Sequence, residues 1–248
     1  MTGQELERQV RRDLGTLSKA NAVEVARHLV MAGRLIDVDP AQALQHALAA
    51  QRRAGRVGVV REAAGLAAYH AGDYELALRE LRTARRLSGS EEHLAVMADC
   101  ERGLGRPERA LALAAGPEAL RLDRQGQLEL AMVVAGARID MGQADAAVVL
   151  LQVPELDQRP TAATAEQTAR LMSAYSDALA AAGRSEQARQ WLERAAETDP
   201  DGATGAASRL GTDDPFIVDL EDDEGGAWPH DEADTSADDD GADASGVR

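Results

Sequence analysis

The chain of 248 residues has a single cysteine, a single lysine, a single asparagine and six aromatic residues. Cys100 alone excludes a disulfide framework and any cysteine-rich metal site. No run of about 18 apolar residues occurs, so no segment reads as a membrane-spanning helix. From Met1 to Arg12 the chain is polar, and charged from Glu5 onward, without the apolar core of a signal peptide, which makes the cytoplasm the expected location. Scarce aromatics disfavour a β-sandwich, which draws on alternating Val, Ile, Thr and aromatic positions. Absent too are a phosphate loop, a GxSxG elbow, an HExxH pair and a dinucleotide-binding glycine fingerprint.

What the chain has is alanine. Fifty residues are alanine, nearly half of the apolar 44%, a composition that suits closely packed helices. The net charge of −16 is unevenly spread. Residues 201–248 hold 15 Asp/Glu against two Arg, residues 91–200 carry a net −7, and residues 1–90 carry +4. Low hydrophobicity with high charge predicts a disordered acidic tail over 201–248, because such a segment buries too little apolar surface to offset ordering entropy. The boundary falls near Pro200-Asp201-Gly202, leaving residues 1–200 as the helical body.

Over residues 20–200, apolar and Ala residues recur at three- and four-residue spacing between short Gly or Pro turns, which predicts an all-α fold. The turns themselves repeat. With Gly72, Gly105, Gly142 and Gly183 as anchors, spaced 33, 37 and 41 apart, a small residue lies seven before each: Gly65, Ala98, Ala135 and Ser176. Five after each lies alanine: Ala77, Ala110, Ala147 and Ala188. Small residues on facing helices allow close approach, and the glycine closes the first helix in a left-handed conformation. The larger Leu81, Leu87, Leu94, Met97, Leu150, Leu151, Met172, Trp191 and Leu192 are expected to fill the space between hairpins. Pro154 and Gly116-Pro117 shorten two second helices, and a less regular hairpin spans roughly 22–34 and 40–54.

The segments Gly65 to Leu87 and Ser176 to Pro200 resemble the tetratricopeptide repeats (TPR), with Gly72-Asp73-Tyr74-Glu75-Leu76-Ala77 and Gly183-Arg184-Ser185-Glu186-Gln187-Ala188 as their turns. The resemblance covers about 180 residues, with two close and three degenerate repeats. It implies a right-handed superhelix of antiparallel helical hairpins, a TPR-like solenoid whose concave wall is built from first helices. The groove-facing positions would then be Leu66, Tyr69, His70, Asp99, Arg102, Met132, Gly136, Ile139 and Asp177. The Lys/Asn/Arg clamp that many members use for acidic chaperone C-termini is missing, since neither Lys19 nor Asn21 lies in a close repeat. A mixed, modestly apolar wall suits an extended or helical peptide.

No catalytic constellation stands out, and the expectation is a non-enzymatic adaptor without cofactor or metal. His93 and Cys100, two helical turns apart, lack a third ligand; Asp99 and Glu101 beside the thiol disfavour a thiolate nucleophile. Two arginine groups, Arg52, Arg53, Arg56 and Arg79, Arg82, Arg85, Arg86, raise the alternative of a nucleic-acid-related regulator, with the acidic tail as a possible nucleic-acid mimic. Missing aromatic interleaving disfavours it; helix C-termini attract cations, and Glu75→Arg79 has the favourable helix-pair order. The tail holds the only Phe and half of the Trp. Phe216, Ile217, Val218, Leu220 and Trp228, flanked by acids, fit either a linear motif that orders on a protein partner or a segment that docks on the solenoid's end. The sequence carries no signal of oligomeric state.

Overall fold

The computed structural model describes residues 5–199 and 201–212. Among them the fold is all-α, without strands. A short helix α1 (Arg8–Asp13) and a 3₁₀ turn that buries Leu14 precede the first long pair, α2 (Lys19–Leu35) and α3 (Pro40–Ala54). Four further pairs follow: α4 (Gly58–His70) with α5 (Tyr74–Ser88), α6 (Leu94–Gly103) with α7 (Pro107–Ala114), α8 (Arg124–Asp140) with α9 (Ala144–Leu151), and α10 (Ala165–Ala181) with α11 (Ser185–Thr198). Helix α12 (Ala206–Thr212) comes last. Each helix packs on its partner and each pair on the next, and α2 meets α4, α6 meets α8 and α8 meets α10 across successive pairs.

The anchors do what their residue type allows. Gly72, Gly105, Gly142 and Gly183 all have φ between 69° and 77°, in the left-handed region. After α4 the Gly72 amide donates to the Tyr69 carbonyl at 3.0 Å and the Asp73 amide to the Ala68 carbonyl at 2.9 Å. This is the Schellman arrangement, and the same two bonds recur at residues 105–106, 142–143 and 183–184. Asp73 then caps α5 by accepting from the Leu76 amide at 3.0 Å. The first pair turns without such a glycine; Asp39 caps α3 ahead of Pro40.

All eight flanking small residues are buried. A β-carbon at Gly65 would sit 2.6 Å from Leu81 Cγ and 3.2 Å from the Leu81 amide nitrogen, so α4 and α5 approach to backbone contact there. In the last pair the Ser176 hydroxyl donates to the Ala188 carbonyl at 2.7 Å, joining the two flanking positions directly. Leu81, Leu94, Met97, Leu151, Met172 and Leu192 are buried, and Leu150 and Trp191 pack partly buried against the core. Leu87 departs from expectation: it is half exposed near the end of α5, beside Gly58 at the start of α4. Both shortened second helices end as their Gly and Pro dictate, in 3₁₀ turns at Ala119–Arg121 and Pro154–Leu156.

Helix α12 lies beyond the boundary expected at residue 200. Ala206 is buried in the cluster formed by α8 to α11, with Leu210 packed beside it. Asp199 holds the connection: its Oδ2 accepts from the Thr204 amide at 2.6 Å and from the Thr204 hydroxyl at 2.7 Å. The tail residues Phe216, Ile217, Val218, Leu220 and Trp228 lie outside the described residues.

Candidate functional site

Four first helices, α4, α6, α8 and α10, contribute to one polar seam. The Tyr69 hydroxyl donates to Asp99 Oδ2 at 2.6 Å. Arg102, one turn beyond Asp99 on α6, donates Nη1 to Asp99 Oδ1 at 2.8 Å and Nε to Asp140 Oδ2 at 2.8 Å. Its guanidinium lies against Gly136, where a β-carbon would come within 2.6 Å of Cζ; the missing side chain makes the room. Burial, the hydrogen bond to Asp99 and its charge push the Tyr69 phenol well above its ordinary value. Burial works against the charge of Arg102, but Asp140 and Asp99 outweigh it and hold the guanidinium more firmly protonated than usual.

Of the expected groove positions, Tyr69, Asp99, Arg102, Met132 and Asp177 line a single depression of about 370 Å³, which Ala203 and Thr204 also line. Arg170 pairs with Glu129 at 3.0 Å along its wall. Arg209 of α12 binds Asp177 and donates to the Ser173 hydroxyl at 2.9 Å. The other four do not line it: Gly136 lies under the Arg102 guanidinium, and the remaining three lie elsewhere. Leu66 and Ile139 pack against core clusters. His70 is exposed, edge-on to Tyr69 and 3.8 Å from Asp37. Asp140 and Arg209 belong to the seam but are not apparent from repeat positions alone. Gly136 and Asp140, four apart on one helix face, hold the signal for the first; Arg209 lies in a stretch that composition assigns to the tail.

The arginine groups have a different setting from the one sequence suggests. Arg79 pairs with Glu80 at 3.2 Å, and Glu75 is not its partner among the described ion pairs. Glu80, 2% exposed, also accepts from Arg61 at 2.7 Å and from Gln51, tying α3, α4 and α5. Glu101, equally buried, takes Arg82 at 2.8 Å and Arg106 at 2.9 Å. Arg85 joins Glu91 at 2.6 Å and Glu118 at 2.8 Å. Arg52, Arg53 and Arg56 are exposed. Glu80 was legible as a core position, since Ala77, Glu80, Leu81 and Ala84 follow helical spacing.

Cys100 is fully buried among Leu78, Leu81 and Met97, and burial, then Asp99 and Glu101, push its thiol up to about 12. His93 opens α6 with Nε2 3.3 Å from Glu62 Oε1. Among the described residues no group of three or more His, Cys, Asp and Glu could hold a metal ion, and no helix is long and apolar enough to cross a membrane. No known family model matches the chain, and no curated protein matches it.

Proposed function

We propose that the chain is a TPR-like α-solenoid, a right-handed superhelix of hairpins, acting as a cytoplasmic protein-binding adaptor and not as an enzyme. A peptide segment would lie across the first helices, its apolar side chains against Met132 and Val133 and its polar groups on the Tyr69–Asp99–Arg102 seam. The observation carrying this reading is convergence: five of the nine positions that the resemblance puts on the groove, on four helices, line one depression. Their ion pairs and hydrogen bonds fix the side chains before any ligand arrives, which lowers the ordering cost of binding. The acidic tail, with Phe216, Ile217, Val218, Leu220 and Trp228, would carry a second, linear motif.

The test is a peptide-library selection on the full chain, followed by titration of the selected peptides. Met132→Glu and Asp99→Asn should each weaken them about tenfold or more, as for central interface positions, with helical content unchanged by circular dichroism. Affinities that ignore both substitutions would overturn the groove reading.

A further inference from the structure

Helix α7 ends after eight residues where α5 runs for fifteen. Along α5, from Glu75 to Arg86, opens a cleft of about 840 Å³, within the size range of ligand sites. Leu78, Met97 and Leu113 make its floor. Arg79, Arg82, Arg85, Arg86, Arg106 and Arg121 surround it, against Glu75 and Glu91 as the acidic lining residues.

The arginines are held in place. Buried Glu101 anchors Arg82 and Arg106, while Glu91 anchors Arg85 and Arg121. A guanidinium has five N–H donors, so one carboxylate behind it orients the group without exhausting it. Arg86 bonds the Thr83 hydroxyl at 3.2 Å and has no carboxylate partner among the described residues.

We propose that this cleft binds an acidic peptide segment in which an apolar side chain is flanked by carboxylates. The apolar side chain would seat on Leu78, Met97 and Leu113, and the carboxylates would meet the arginine rim. Charge complementarity selects the acidic ligand. The apolar floor and the lack of any aromatic lining residue favour peptide over nucleic acid, whose bases would need stacking partners. The proposal does not rest on the groove across the first helices.

Titration of the full chain with a fluorescein-labelled peptide, one Phe-Leu pair among aspartates and glutamates, tests it by polarisation. Binding should weaken steeply with salt. The double variant Arg79→Ala/Arg86→Ala alters two exposed arginines, leaves Glu80 its Arg61 and Gln51 partners, and should weaken the peptide about three- to tenfold with thermal unfolding little changed. Replacing Phe-Leu by Ser-Ser should also weaken it, whereas Met132→Glu should leave it unchanged. The proposal fails if binding is salt-independent, if Met132→Glu abolishes it while the arginine variant does not, or if a single-stranded RNA oligomer binds more tightly and displaces the peptide.

Discussion

At position 65 one methyl group decides how closely two helices meet. A β-carbon there would meet Leu81 at its Cγ and approach its backbone nitrogen, and overpacking costs about 1–3 kcal/mol. Alanine returns about 1 kcal/mol of helix propensity, so Gly65→Ala should lower stability in urea unfolding. Gly33, in α2, offers the opposite case: a β-carbon meets nothing within 4 Å. Gly33→Ala should raise stability by about 0.5–1 kcal/mol in the same assay. The first site was legible because its small residue recurs at three other turns. Buried Glu101 was harder to see, since burial of a carboxylate depends on Arg82 and Arg106 arriving from other segments. Removing both arginines leaves a buried unpaired charge, and Arg82→Ala/Arg106→Ala should cost about 3–5 kcal/mol.

Among the elements, α2 and α3 meet through two histidines, with His28 Nδ1 and His46 Nδ1 3.0 Å apart. Burial first, then His46 and Arg53, lower the His28 pKa below its ordinary 6.5, against a weaker opposing effect of Glu24. Between its lowered folded value and pH 6.5, His28 is therefore more protonated in the unfolded chain than in the folded one. Stability contributed by neutral His28 is present above that pH and is lost as pH falls toward the lowered value. His28→Gln should flatten the fall in melting temperature of the full chain between pH 7.5 and 5; an unchanged slope would remove the pair from the account. Helix α12 shows where composition misleads. Its seven residues adjoin a strongly acidic stretch, and only the meeting of Ala206 with the α8–α11 cluster and of Arg209 with Asp177 reveals it as part of the helical body. Ala206→Asp should undock it, seen as faster amide exchange through residues 206–212.

Across the whole molecule, apolar contacts form a series of clusters along the chain, each shared by neighbouring pairs. Such an arrangement passes stability from neighbour to neighbour and permits partial opening. Leu192→Ala should cost about 2–5 kcal/mol in the last pair, with amide exchange accelerating in α10 and α11 well before α2 and α3. Helix class and turn positions were readable from the sequence because they depend on neighbours a few residues away. Which arginine meets which carboxylate was not, because those partners stand as many as 39 residues apart. Cys100 turns this architecture into a measurable clock. As the chain's one thiol, sealed between the α4–α5 pair and α6, it reacts with an alkylating reagent only when that junction parts. Its alkylation rate under native conditions therefore counts the openings of a single internal seam, without any label being introduced.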